Sequence, residues 1–145
     1  MFISVVIPTY NRRSILEKCL QALEHQDPSG EIENYEVVVV DDGSSDGTPN
    51  WLRQNAARFP HVRLVEQQHG GPAEGRNRGV DHAKGDVIVF IDSDLVVTSS
   101  FLASHARALS RRWNQQDNRL CFTYGAVINT ANFDQPTAER HKLRD

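Results

Sequence analysis

The segment EVVVVDDGSSDGT, residues 36–48, decides the fold. Its four consecutive valines demand burial, and an unbroken β-branched run predicts a strand covered on both faces, as in a parallel sheet. Asp41 and Asp42 follow at once. Carboxylates do not share that interior, so the strand stops where they begin. Glycine and serine then favour a turn before the next element. The stretch reads as a buried strand whose carboxyl end opens on a polar rim.

Outward from this strand, short apolar runs alternate with amphipathic stretches. ISVVI at 3–7 is a strand stopped by Pro8. Residues 12–25 read as a helix, because Ile15, Leu16, Cys19, Leu20 and Leu23 recur at helical spacing and Asn11 can cap the first turn. A helix follows from about 49, with Thr48 as its cap, Pro49 at its first position and Trp51, Leu52, Ala56 and Phe59 on one face. HVRLVEQ at 61–67 is a third strand, and residues 71–84 are a helix interrupted by two glycines. DVIVFID at 86–92 is a fourth strand. Residues 100–113 form a helix with Leu102, His105, Ala106, Leu109 and Trp113 on one side, and LCFTYGAVI at 120–128 reads as a fifth strand. The tail from Asn129 is polar and has no clear period.

Strands alternating with helices imply βαβ units, right-handed crossovers and a mostly parallel α/β sheet flanked by helices. Ligands of such sheets bind at the carboxyl ends of the strands. Three strands here end in polar clusters: PTYN at 8–11, DDGSSDG at 41–47 and DSD at 92–94. In a parallel sheet all three emerge on one side.

Composition sets the outer limits. The chain has 145 residues, 39% hydrophobic and 24% charged, which suits one globular domain. A net charge of −3 gives no general attraction to nucleic acid or anionic membrane, so an anionic ligand needs a local site. The two cysteines, Cys19 and Cys121, form no CxxC pair, and a reducing, cytoplasmic compartment is expected. No apolar run approaches the roughly 18 residues that cross a bilayer, and residues 1–10 do not resemble a secretion signal.

Each cluster has a plain reading beside the functional one. Asp92 and Asp94 point the same way if the chain is extended, and two such carboxylates repel unless a cation is near. Their hard oxygens suit Mg²⁺ or Mn²⁺ with substrate phosphates as further ligands; equally, an isolated DxD marks an ordinary solvated turn. Asp41 and Asp42 are either turn formers or acceptors for a nucleobase or ribose. Asp46 belongs to the start of a helix. Tyr10 either stacks on a base, with Thr9 bonding the base edge, or packs on the adjoining helix. In GGPAEGRNRG at 70–79, Arg76 can offset phosphate charge near a helix N-terminus, whereas Arg78 reads as solvated. That segment lacks the ending of a phosphate loop. None of the six histidines shows metal-ligand spacing, and none is assigned a role.

Taken in order, VVIPTYNR (5–12), VVVVDDGSSDGT (37–48), GGPAEGRNRG (70–79) and GDVIVFIDSDL (85–95) resemble the family 2 glycosyltransferases, which have the GT-A fold. The resemblance implies a nucleotide-diphospho-sugar donor, commonly UDP-linked, a divalent metal (Mn²⁺ or Mg²⁺), and inverting transfer to an acceptor hydroxyl on a glycan or lipid-linked sugar. Bacterial members often build polysaccharides. Carried over by position, Thr9 and Tyr10 lie against the base and Asp41 bonds it. Pro8, Asp42 and Ser93 complete the donor contacts. Arg76 sits near base or phosphates, Asp92 faces the ribose or metal-bound waters, and Asp94 is the direct metal ligand.

The chain after Asp94 is short for such an enzyme. Inverting members use a carboxylate base well beyond the DxD, and Asp134, Glu139 and Asp145 lie in the polar tail. The expectation is therefore a donor-binding part, residues 1–130, with a tail at 131–145. It would be a truncated GT-A unit that lacks its base and binds donor better than it transfers sugar. A second copy would cover apolar surface left exposed by the shortening.

Three rivals remain open at this stage. A haloacid-dehalogenase-type phosphatase would use Asp92 as nucleophile and Asp94 as acid/base, but its DxD belongs near the start of the domain. A receiver domain would have its acidic pair after the first strand, where this chain has PTYN. The third rival is a non-catalytic nucleotide-binding or oligomerising module.

Overall fold

A computed structural model describes residues 1–115, 121–125 and 127. The elements run β1 (Phe2–Thr9), α1 (Arg13–Glu24), β2 (Asn34–Asp41), α2 (Thr48–Gln54), a single 3₁₀ turn at Ala56–Arg58, β3 (Val62–Glu66), α3 (Pro72–His82), β4 (Val87–Phe90) and α4 (Phe101–Gln115). All strand pairings are parallel, in the order β3-β2-β1-β4. This is the expected α/β architecture.

Val37 to Val40 are fully buried, because β2 is covered on both sides. Val37 and Val39 join Ile3, Val5 and Ile7 of β1 in one core with Leu16, Leu20 and Leu23 of α1 and Leu102 and Ala106 of α4. Val38 and Val40 join Val6 and Val65 on the opposite face, where α3 packs against β1 and β2. Each fully buried valine contributes at most about 1.5–3 kcal/mol, so the run anchors the sheet.

The two helix-interior glycines that weaken the prediction of α3 have a packing reason. A Cβ at Gly79 would lie 2.2 Å from Val6 Cγ1, and one at Gly75 would lie 3.0 Å from Pro8 Cβ. Spaced four apart, both face β1 and let the helix settle directly onto the strand.

Several boundaries differ from those expected. β1 continues through Pro8 to Thr9, paired with Val40 and Asp41. The Val6 carbonyl faces β4, accepting from Ile91 N–H at 3.2 Å, while the Thr9 carbonyl faces the other way, accepting from Asp42 N–H at 2.9 Å. By alternation Pro8 faces the β4 side. The ladder there ends with the Ile91 N–H bond to Val6, because Pro8 has no N–H to return to the Ile91 carbonyl. The helix at 48 starts after Gly47 (φ 84°) and not Thr48, and it breaks at Asn55, leaving Ala56 exposed. Asn11 does not cap α1; Arg12 occupies that position. β4 is shorter than expected, and Phe90 is exposed. Residues 121–125 and 127 form no strand, and the rest of the expected fifth strand and the whole 131–145 tail lie outside the described residues. No helix among the described residues is long and apolar enough to cross a membrane.

The α3 contact gives a direct test. Gly79→Ala drives a methyl into Val6 and should destabilise the domain by about 1–3 kcal/mol, read as a lower urea midpoint. An unchanged midpoint would show that the helix is free to move away from the strand.

Candidate active-site cleft

Because β1, β2 and β4 are parallel, their carboxyl ends share one edge, and a cleft of about 420 Å³ opens there. Pro8, Thr9, Tyr10, Asp42, Arg76, Asp92, Ser93 and Asp94 all line it. Asp41 does not line it; it sits opposite Thr9 in the β1–β2 register, 1% exposed. Arg12, His69 and Pro72 also line the cleft, and the sequence reading gave no role to any of them.

The acidic cluster after β2 is used mainly to hold the rim together. Asp41 Oδ2 accepts from Ser44 N–H at 2.9 Å. Asp46 Oδ2 accepts from Arg13 N–H at 3.0 Å, capping the start of α1 from across the rim, while its Oδ1 accepts from Thr48 N–H and Oγ1 at 3.0 and 2.6 Å. Asn11, in a left-handed conformation at φ 51°, accepts on Oδ1 from Ser45 N–H at 2.7 Å, and its own N–H donates to Ser44 Oγ at 2.9 Å. Asparagine tolerates that conformation better than most residues. These reciprocal bonds fix the backbone on both sides of Tyr10 and Arg12.

Asp42 was expected either as a turn former or as an acceptor for the donor; it lines the cleft, and both its oxygens also hold bonds within the chain. Oδ1 accepts from Gly70 N–H at 2.8 Å and Gln67 Nε2 at 2.7 Å, and Oδ2 accepts from Gly71 N–H at 2.9 Å and lies 2.8 Å from His69 Nδ1. Its oxygens are spent on the loop before α3. Burial raises its carboxyl pKa, but the bonds from Gly70, Gln67 and Gly71 and the charge of His69 outweigh burial and hold the group below the usual carboxylate range.

Tyr10 is 44% exposed and stacks on His69, not on a helix, with ring centroids 4.3 Å apart and planes 28° apart. His69 thus bridges the Asp42 carboxylate and the Tyr10 ring. No helical period or motif marks His69 in the sequence. Only the loop that brings it back over Asp42 does so.

The two carboxylates of the DxD share the cleft but not by strand alternation. Residues 92–95 form a turn, closed by Leu95 N–H to the Asp92 carbonyl at 3.1 Å. Arg76 Nη2 lies 2.6 Å from Asp92 Oδ1, and Arg12 Nη1 lies 2.7 Å from Asp94 Oδ2. All four side chains are roughly half exposed, and such pairs are worth only about 0–1 kcal/mol each. Arg78 is solvent-exposed, as expected. Among the described residues no three His, Cys, Asp or Glu side chains gather into a metal cage. Two neighbouring carboxylates with hard oxygens still fit a divalent cation whose other ligands come from a phosphate.

Thr9 Oγ1, in the cleft lining, and Asp41 Oδ1, opposite Thr9 in the β1–β2 register but outside that lining, are buried with no hydrogen-bond partner, as are Glu24 Oε1, Arg63 Nε and Gln67 Oε1, none of whose residues lines the cleft. Thr9 is 3% exposed and lines the cleft. Such orphaned polar atoms are costly and unusual, and each calls for an explanation.

A parallel α/β sheet with a diacidic turn and a polar cleft at its carboxyl edge is a ligand-binding type of architecture. The sequence profile of glycosyl transferase family 2 matches residues 4–124. The chain belongs to this family, which displaces the phosphatase and receiver readings. It is 37% identical over 105 residues to the uncharacterised glycosyltransferase YfnE of Bacillus subtilis, covering 72% of this chain and 26% of that protein. The crystal structure of S. aureus TarS 1-349 in complex with UDP-GlcNAc superposes with a TM-score of 0.66 at 32% identity, covering 77% of this chain and 32% of that one. The mannosyltransferase PcManGT of Pyrobaculum calidifontis, in complex with GDP-Man and Mn²⁺, superposes with a TM-score of 0.66 at 34% identity, covering 74% and 32%. The fold is therefore GT-A, and the chain spans less than a third of the length of each of these relatives.

The Asp42 clasp has a pH consequence. Its folded pKa lies below its unfolded value, so its contribution is complete above the unfolded value and is lost as pH falls through the folded one. Asp42→Asn should lower stability at neutral pH and flatten the loss of stability below about pH 4, measured as melting temperature against pH. Parallel acid limbs in the two proteins would contradict the assignment.

Proposed function

We propose that this chain is the donor-binding part of a family 2 glycosyltransferase, holding a nucleotide-diphospho-sugar, UDP-linked by preference. The single observation that carries the reading is the orphaned Thr9 hydroxyl in a cleft that also holds an exposed aromatic and the DxD carboxylates, with the unpaired Asp41 Oδ1 opposite Thr9 in the strand register. Thr9 and Asp41 would complete their hydrogen bonding on the edge of a base stacked against Tyr10. Pro8 shapes the same wall. Arg76 and Ser93 lie where ribose or phosphate oxygens would pass, and Asp42 serves from behind by holding the loop that carries His69.

Asp94, with Asp92, would hold a divalent cation at the diphosphate, Mn²⁺ or Mg²⁺. When bound, such a cation neutralises the charge that builds on the departing diphosphate. The complexes named for the two solved relatives, UDP-GlcNAc in one and GDP-Man with Mn²⁺ in the other, support this class of ligand.

Transfer with inversion to an acceptor hydroxyl, on a glycan or lipid-linked sugar, also needs a base. The carboxylates lining the cleft are Asp42, Asp92 and Asp94. The first is bound to its loop, and the other two belong to the cation site. The base is therefore proposed to lie outside the donor half, residues 1–130, with 131–145 as its tail. Cytoplasmic use of an activated sugar, in polysaccharide synthesis, fits the reading. A non-catalytic nucleotide-binding module would share the cleft, and parallel assays of binding and transfer separate the two.

Titration with UDP- and GDP-sugars, first with Mn²⁺ and then with chelator, tests the site. Asp94→Ala should abolish the metal-dependent part of binding; equal binding by that variant would refute the cation site. Thr9→Val removes the orphaned hydroxyl without changing side-chain shape. It should leave stability equal or higher while weakening nucleotide binding by about three- to tenfold, one neutral hydrogen bond. Undiminished affinity would remove the base-binding role.

A further inference from the structure

Both carboxylates of the DxD turn are held by arginines from opposite walls. Arg12 reaches Asp94 from the segment after β1, and Arg76 reaches Asp92 from α3. Neither pair is local, with partners 82 and 16 residues apart. The backbone at Arg12 is fixed by the Asn11 and Asp46 bonds, but its side chain is half exposed and can swing. Arg76 has the same freedom on a helix whose first residue, Pro72, also lines the cleft.

A guanidinium and a metal ion cannot use one carboxylate oxygen at once. Asp92 Oδ1 and Asp94 Oδ2 are the oxygens the arginines occupy. As paired, the four side chains are neutral together. A divalent cation added alone leaves uncompensated positive charge in the cleft and must displace guanidinium groups that gain nothing in return. A dianionic diphosphate added alone meets two carboxylates. Added together, the cation takes the aspartates, the arginines turn to the diphosphate oxygens, and neutrality returns. The helix N-terminus at Pro72 favours the same placement of the anion.

We propose that Arg12 and Arg76 are exchangeable counter-ions of Asp94 and Asp92, so that the cleft admits a divalent cation and a diphosphate together and resists the cation alone. The proposal rests on the donor-binding reading and assigns Arg12 a role in diphosphate binding. Arg12 and Arg76 act on the cation through the aspartates and are positioning residues for it. The coupling is reciprocal, so it can be measured from either ligand.

The test is Mn²⁺ binding by electron paramagnetic resonance, which reports free ion, with and without saturating UDP. The proteins are wild type, Arg12→Gln, Arg76→Gln and the double variant, each checked for folding by circular dichroism. Without UDP, each glutamine variant should bind Mn²⁺ about two- to fivefold tighter than wild type, the factor an exposed ion pair is worth. The gain in Mn²⁺ affinity on adding UDP should shrink in each variant and most in the double one. Arg12→Lys keeps the charge and should restore most of the coupling, which a purely structural role would not predict. Asp94→Asn should lose the Mn²⁺ signal in both conditions. Metal-only affinity in Arg12→Gln and Arg76→Gln that equals or falls below wild type overturns the proposal, while wild-type binding of UDP with Mn²⁺ would leave the donor-binding reading standing. Wild type that binds no UDP in the presence of Mn²⁺ overturns both.

Discussion

Burial of β2 on both faces is the constraint from which the rest follows. Val37 to Val40 alternate between two cores, so helices must cover both sides of the sheet. Covering both sides requires crossover connections, and these make neighbouring strands parallel. Parallel strands finish on the same edge, which is why Thr9, Asp42 and Asp92 line one cleft although they are widely separated in sequence.

At that edge the chain must keep several loops in fixed relation with little apolar material, and it does so with carboxylates. Asp41, Asp42 and Asp46 each accept backbone N–H groups from the rim, at Ser44, at Gly70 and Gly71, and at Arg13 and Thr48. Charge-assisted bonds to backbone are strong and directional, so a dense acidic segment can serve as a set of clasps. In Asp41 one oxygen braces its own turn, and the other is buried and unpaired opposite Thr9.

The sequence disclosed the architecture well because its signals are additive. A valine run, helical spacing and prolines at helix starts all pointed to one parallel sheet, and four of the expected strands are present. Most of the cleft was legible too, since three polar strand ends must converge in such a sheet. What escaped prediction depended on contacts between segments remote in sequence. His69 becomes part of the site only because the loop before α3 folds back onto Asp42. Arg12 matters because Asp94 lies across the cleft. Asn11 looked like a helix cap because local rules see only its own helix, whereas its side chain serves the 44–46 loop. Pro8 looked like a strand stop because sequence does not show that it ends the ladder only toward β4, while β1 stays paired with β2 through Thr9.

The seating of α3 links the interior to the cleft. Gly75 and Gly79 leave almost no clearance between helix and strand, and Arg76 follows Gly75 directly along the chain. The backbone position from which Arg76 reaches the cleft is therefore set by steric volume at Val6 and Pro8. A hydrocarbon side chain that never meets solvent can act as a sighting screw for a group at the surface, so tolerance to change at Val6 is set at the rim as well as in the core.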